Sequence, residues 1–359
     1  MKHIIFYVNS MLPAGGIERV VATLANELSK DNKITILVKD QCESFYNLDS
    51  SIKIESISTY KKLDMNNRFR RALSLFSSFI FSVYFLRRYL LKKEFDFIYV
   101  TNPLSFWESF LSFRCENKII ASEHGSRLNY NIIYRILKAG YKYSNTYLIP
   151  TKTDFNYYYN HGYPARYIPH LRPLLDYEIT DISKKNVLNI GRFTSDKRQL
   201  LLLDIWHNIL LRNKSLRDWT LVLVGAGELE KEIIEKVHEL NISCNVKILP
   251  PQADVKSLYT SASVFALTSS SEGFGMVLLE ALSFGLALIS FDCPSGPRDI
   301  IDNNIDGILI YNEEVEKYES SLINLMIDSD LRARMSQSGF DKAKEWNSTN
   351  VNNEWKKIL

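Results

Sequence analysis

Arg192 and Lys197 stand five residues apart in the run Asn189-Ile190-Gly191-Arg192-Phe193-Thr194-Ser195-Asp196-Lys197. Arginine offers a rigid fork of donors and lysine a compact charge, so the two across a turn suit a diphosphate. The alternative is a pair of solvated surface cations. Glu272 and Glu280 are separated by seven residues in Ser271-Glu272-Gly273-Phe274-Gly275-Met276-Val277-Leu278-Leu279-Glu280-Ala281-Leu282. Gly273 and Gly275 permit a tight loop, and the N–H groups that open the following helix can face a phosphate. The two carboxylates can accept hydrogen bonds from sugar hydroxyls; otherwise they are a loop charge and a helix-surface glutamate. A third segment, Pro13-Ala14-Gly15-Gly16-Ile17-Glu18, opens a helix near the start of the chain. It is either another anion-facing helix end or a plain tight turn. His124, in Ala121-Ser122-Glu123-His124-Gly125, is a further candidate, with Glu123 second to it.

These segments need strands that end beside them. Short apolar runs rich in β-branched and aromatic residues predict strands at 3–8, 33–39, 52–58, 95–101, 118–123, 146–151 and 166–169. Others follow at 186–191, 220–225, 246–250, 264–268, 287–292 and 307–310. Helical patterns lie between them. Ile17, Val20, Val21, Leu24, Ala25 and Leu28 recur on one helix face. Strand–helix alternation implies an α/β fold with parallel sheets covered on both sides. In such sheets ligands bind beyond the carboxyl ends of strands, which is where all four candidate segments fall. The stretch 169–185 carries Pro173 and several charges without a clear period, and it predicts the interdomain linker.

The 359 residues suggest about two domains. A hydrophobic share of 46% and a charged share of 24% argue against disorder over most of the length. A net charge of +3 is too small to argue for nucleic acid. Cys42, Cys115, Cys244 and Cys293 are scattered, which gives neither a disulfide framework nor a zinc site and fits a reducing compartment. The first apolar run is too short for a secretory signal, and the window 72–86 is too short and too serine-rich to span a membrane. Asp328-Ser329-Asp330 matches an Asp-x-Asp metal-binding string, but its place between helical patterns suits a helix cap. Val224-Gly225-Ala226-Gly227 begins like a dinucleotide fingerprint, yet Glu230 stands at the third glycine position.

Together the segments resemble family 4 glycosyltransferases of the GT-B fold. The Glu272…Glu280 pair is the most specific element, supported by Gly191-Arg192-Phe193 with Lys197. The run Cys293-Pro294-Ser295-Gly296-Pro297-Arg298 is similar to a version found among bacterial surface-polysaccharide transferases. The resemblance implies two Rossmann-like doubly wound domains facing a cleft: 1–175 for acceptor binding and 176–345 for the nucleotide-sugar, with a last helix at 346–359 packing back on the first. It implies retention of anomeric configuration, a UDP-sugar donor and no metal cofactor. Arg192 and Lys197 would hold the diphosphate, Glu280 the ribose hydroxyls, and Glu272 and His124 would sit by the transferring sugar. Gly15, Gly16, Gly227, Phe274, Gly275, Met276 and Val277 would complete the donor site, and the backbone of 249–252 would border the base. The implied acceptor is a glycan, linked to a lipid diphosphate.

The segment 60–95 carries Lys61, Lys62, Arg68, Arg70, Arg71, Arg87, Arg88, Lys92 and Lys93 around an apolar, aromatic centre. Such a segment favours an anionic membrane, and so a peripheral place on the inner face of the cell membrane. The alternative is a helix packed on the first sheet with a solvated basic face. Other readings of the whole chain are a dinucleotide-dependent enzyme, a GT-B-shaped nucleotide-sugar epimerase and a non-catalytic partner subunit. The last is disfavoured because Arg192, Lys197, Glu272 and Glu280 are all present.

Overall fold

In the computed structural model the described residues are 1–59, 68–113, 118–129, 132–311 and 314–359. The side chains of 68–73 and of Asn129 are also outside the description. Lys61, Lys62 and Cys115 therefore lie outside the described residues, as do the side chains of Arg68, Arg70 and Arg71.

The chain divides into two compact units, Met1–Leu171 with Ser348–Leu359, and Arg172–Asn347. The first unit holds strands β1 (His3–Tyr7), β2 (Lys33–Val38), β3 (Lys53–Ser56), β4 (Phe97–Val100), β5 (Ile119–Ser122), β6 (Thr146–Ile149) and β7 (Ala165–Tyr167). They form one sheet in the order β3-β2-β1-β4-β5-β6-β7, and every pairing is parallel. Its helices are α1 (Gly16–Leu28), α2 (Arg68–Leu90), α3 (Pro103–Phe113), α4 (Ile132–Lys138) and α5 (Lys152–Asn160). The second unit holds β8 (Asn186–Ile190), β9 (Thr220–Val224), β10 (Val246–Leu249), β11 (Val264–Leu267), β12 (Ala287–Asp292) and β13 (Gly307–Tyr311). Their order is β10-β9-β8-β11-β12-β13, again all parallel. Its helices are α6 (Gln199–Arg212), α7 (Glu230–Glu239), α8 (Lys256–Thr260), α9 (Met276–Ser283), α10 (Pro297–Ile300), α11 (Val315–Ile327) and α12 (Ser329–Lys342). The last helix, α13 (Ser348–Trp355), belongs to the first unit.

Each sheet is doubly wound. The order reverses beside β1, between β2 and β4, and beside β8, between β9 and β11. Helices on both faces explain why the strands read as nearly unbroken apolar runs: Val264–Leu267 and Ile119–Ser122 are buried at every position. All thirteen predicted strands are present among the described residues, with ends within two residues of those read from the sequence. On α1 the predicted face is buried from Val20 to Leu28, but Ile17 is 38% exposed in the first turn. Asp328 caps α12, its carboxylate accepting from the Leu331 N–H at 2.8 Å, so its place in the Asp-Ser-Asp string is explained by the helix end.

The core of the first unit draws on both ends of the chain. Val351 and Trp355 of α13 are buried with Val21 and Leu24 of α1, Tyr99 of β4 and Ile168. Asn352 donates to the Glu27 carboxylate of α1 at 2.7 Å.

Candidate functional site

The switch point of the second sheet lies between β8 and β11, and the two strand-end loops there are tied to each other. The Thr268 hydroxyl donates to the Lys197 carbonyl at 3.0 Å, and the Ser270 N–H to the Asp196 carbonyl at 2.8 Å. This places Lys197 beside Glu272: the ammonium donates to Glu272 Oε1 at 2.7 Å. Their side chains are only 17% and 10% exposed, so Lys197 is no solvated surface cation. Asp196 lies at 3.8 Å from the same ammonium. Arg192 is different. It is exposed, and its guanidinium makes no hydrogen bond or ion pair among the described residues. Its carbonyl is fixed by the buried Gln199 amide at 3.0 Å. One cation is thus held by a carboxylate and the other is open to an anion.

The loop after β11 is shaped by glycines. Gly275 caps α9 at φ +91°, a conformation that side-chain-bearing residues rarely adopt, and its carbonyl accepts from the Leu278 N–H at 2.8 Å. Phe274 is buried below it, and Met276 and Val277 open the helix. Gly296, at φ +95°, brings its backbone against the Phe274 carbonyl, and the Ser295 hydroxyl donates to the Glu272 carbonyl at 3.0 Å. Burial, with the Glu272 charge nearby, pushes the Cys293 thiol up to about 12, which leaves it a neutral packing group. Glu280 is 5% exposed, and its Oε2 accepts from the buried Tyr259 hydroxyl at 2.9 Å. It is not a surface residue of the helix.

Gly227 has a packing reason. A Cβ there would come within 2.3 Å of the Phe193 carbonyl oxygen, where the loops after β8 and β9 run backbone to backbone. The Phe193 N–H donates to the Ala226 carbonyl and the Leu229 N–H to the Phe193 carbonyl, each at 3.0 Å. The glycine-rich string after β9 thus serves this close approach. The Leu249 carbonyl, at the end of β10, accepts from the Gly225 N–H at 2.9 Å.

The remaining candidates sit at strand ends of the first unit. Gly15 caps α1 in extended conformation, and the Glu18 carboxylate folds over it, since a Cβ at Gly15 would meet Glu18 Oε2 at 2.1 Å. At Gly16 the same position is open. His124 follows β5 and is partly buried. Its Nε2 lies 3.3 Å from the Tyr99 hydroxyl, and its ring stacks on that of His170 at 5.1 Å and 15°. Burial lowers its pKa to about 4 against the opposing pull of Glu123, so the imidazole is neutral near pH 7. A neutral ring can share a hydrogen bond with a hydroxyl but carries no standing charge. Glu123, the second candidate there, turns into the core and is 3% exposed. His170 and Tyr99 were missed from the sequence. His170 stands just past the predicted strand 166–169, which is the available signal, whereas Tyr99 lies inside the predicted strand 95–101 and carries none.

The comparisons divide the chain as the fold does. The family described as Glycosyltransferase Family 4 matches residues 14–171, and Glycosyl transferases group 1 matches 179–342. The two halves of the chain match glycosyltransferase families, and the chain is a glycosyltransferase. It is 26% identical over 374 residues, 100% of each chain, to the amylovoran biosynthesis glycosyltransferase AmsD of Erwinia amylovora. It is 27% identical over 368 residues, 99% of this chain and 98% of the relative, to a Campylobacter jejuni enzyme. That enzyme is named as an α-1,4-N-acetyl-D-galactosaminyltransferase acting on a diphospho-undecaprenol-linked glycan. Among solved structures, S. aureus TarM in a complex that includes UDP matches at TM-score 0.82 and 14% identity, covering 100% of this chain and 99% of that one. This likeness gives this glycosyltransferase the GT-B fold.

Proposed function

We propose that this glycosyltransferase moves a hexose or N-acetylhexosamine from a UDP-sugar, with retention, onto a lipid-diphosphate-linked glycan of a surface polysaccharide such as an O-antigen or capsule. The observation that carries this reading is the exposed Arg192 beside the Lys197–Glu272 pair at the switch point of the second sheet. UDP in a structural neighbour and the lipid-linked acceptor named for the Campylobacter relative support the choice of substrates.

On this reading the segment 176–345 binds the donor. Arg192 and Lys197 hold the diphosphate, the N–H groups of Met276 and Val277 face it, and Phe274 and Gly275 shape the loop. Gly227 supports the same loop cluster from below. Glu280 accepts from the ribose hydroxyls and Glu272 from the sugar. Gly15, Gly16 and His124 belong to the segment 1–175, which takes the acceptor, and His124 shares a hydrogen bond with the transferring sugar. The acceptor oxygen attacks the anomeric carbon on the face that the nucleotide leaves. The carbon–oxygen bond to the β-phosphate breaks as the new glycosidic bond forms, and the acceptor proton passes to a diphosphate oxygen. A double displacement needs a carboxylate nucleophile at the anomeric carbon, and this reading supplies none. Two cations and a helix end carry the leaving charge, so a metal is not needed for it.

The test is calorimetry of UDP, GDP and NAD with a chelator present, followed by the anomeric configuration of the product by NMR. UDP binding and a retained α-linkage from an α-linked donor are expected. NAD binding alone, or no nucleotide binding, overturns the reading.

The acceptor's lipid suggests where the protein works. No helix among the described residues is long and apolar enough to cross a membrane. On α2, Leu75, Phe76, Ile80, Phe81, Tyr84 and Phe85 are all at least 40% exposed, while Ser82, Leu86 and Leu90 are buried. Ile132, Ile133 and Ile136 of α4 are exposed by 66% or more. From 68 to 93 there is no acidic residue, and Arg87, Arg88, Lys92 and Lys93 follow the apolar turns. Exposed apolar surface of this size beside cations fits an anionic bilayer, so docking is peripheral, on the inner face of the cell membrane. Flotation with phosphatidylglycerol vesicles should carry the protein upward at low salt and release it at high salt. Protein left at the bottom with anionic vesicles at low salt would refute the docking.

A further inference from the structure

Glu123 is the first residue after β5, and its carboxylate uses both oxygens on other parts of the first unit. Oε1 accepts the backbone N–H groups of His124 and Gly125, each at 3.1 Å. Oε2 accepts the Tyr147 hydroxyl from β6 and pairs with the Lys138 ammonium at the end of α4. The Glu123 and Lys138 side chains are each 4% exposed, and Tyr147 is wholly buried. The Glu123 N–H donates to the Leu148 carbonyl at 2.9 Å, so the sheet fixes its own backbone. Burial alone would raise the Glu123 carboxyl, but the Lys138 charge, with the Tyr147 and Gly125 donors, outweighs it and holds it below the usual carboxylate range.

A buried ion pair is poor value as a source of stability, because desolvation offsets most of its attraction and apolar residues of similar volume do as well or better. An apolar pair could fill this space. It could not hold the two amides of the turn that carries the His124 ring toward Tyr99 and His170. We propose that Glu123 is a positioning residue for His124, held on the turn amides by Lys138 and Tyr147. This rests on the reading that His124 meets the transferring sugar. The carboxylate itself faces the core and touches no substrate.

The test compares full-length wild type with Glu123→Gln, the double variant Glu123→Leu with Lys138→Met, and His124→Ala. Turnover, the KM for the donor, thermal stability and the NMR signals of the His124 ring are measured. In Glu123→Gln the amide NH₂ must face either the ammonium, which then loses its partner, or the turn N–H groups, which then lose their acceptor, so in both cases the clamp on the turn is weakened. A shift of about 1 Å in a contacting group lowers turnover by up to about a hundredfold; a fall in kcat of at least tenfold is expected, with donor KM within about twofold and displaced His124 signals. The double variant leaves no buried charge unpaired and keeps the test available where the single variant does not fold. Stripping the Tyr147 hydroxyl and the two turn amides of their acceptor lowers its thermal stability, yet it should fold and keep the low kcat and the displaced signals. Wild-type turnover and an unchanged His124 spectrum in a folded variant overturn the proposal. If turnover recovers together with stability in the double variant, the pair is structural only and the proposal also falls. Full turnover in His124→Ala would remove the role of His124 itself, a separate failure from loss in His124→Ala with none in Glu123→Gln.

Discussion

Lys197→Ala is expected to lower kcat about a hundredfold, the effect of losing roughly 3 kcal/mol of preorganised charge stabilisation. The ammonium is held 2.7 Å from Glu272 by a carboxylate that is itself only 10% exposed, so it is fixed before any donor arrives. When the sugar–phosphate bond breaks, negative charge grows on the β-phosphate, and a fixed cation gains more from that charge than a mobile one. Arg192→Ala should cost a similar factor by a different route, since in the proposed site its exposed guanidinium closes on the diphosphate as a bidentate fork. Lys197→Met keeps the stem and removes the charge, and separates this loss from a packing defect. Single-turnover kinetics with saturating donor is the measurement. Near-normal turnover in both alanine variants would remove the diphosphate assignment.

The second large effect is expected in binding. Glu280→Ala should weaken UDP by about tenfold to a hundredfold, because a hydrogen bond to a charged group contributes about 1.5–3 kcal/mol. Glu280 projects from the second turn of α9, its Oε2 already committed to Tyr259. That bond orients the carboxylate, and the ribose hydroxyl is its proposed ligand. The alanine variant also strips a buried tyrosine hydroxyl of its acceptor and should therefore lose stability. Glu280→Gln preserves an acceptor for Tyr259 and isolates the contribution of charge. Calorimetry on both variants decides the point: unchanged UDP affinity in Glu280→Ala would move the ribose elsewhere.

What the sequence disclosed follows from range. The strands are local objects: runs such as Val264–Leu267 are apolar at consecutive positions and stop at polar residues, so their ends were readable to within two residues. The doubly wound sheets then followed from strand–helix alternation, and the strand ends from general topology. Partnerships between distant residues were not readable. Nothing near Lys197 says that its partner is 75 positions away, and nothing near Glu123 says that it will turn inward to a lysine at the end of α4. Glu280 could be taken for a surface residue, because its burial is decided by Tyr259 from α8. Gly227 illustrates the converse. A glycine in a phosphate-like string can exist for a backbone that passes within van der Waals reach, and only the position of Phe193 reveals it. The exposed isoleucines of α4 were not singled out, since three isoleucines in a short helix read as core until the rest of the unit is seen to pack elsewhere.

The burial of Trp355 among Val20, Leu24 and Tyr99 sets an order of assembly. Proteins are made from the amino end, and domains generally fold as they emerge. Here the segment synthesised first lacks an aromatic side chain of its own core until Trp355 has been made. The second unit, Arg172–Asn347, contains all of its own strands and can close while the chain is still attached. The half of the protein made first is thus completed by a segment made after the second unit, and released chains truncated at residue 347 should carry a mature second half beside a first half open to proteases.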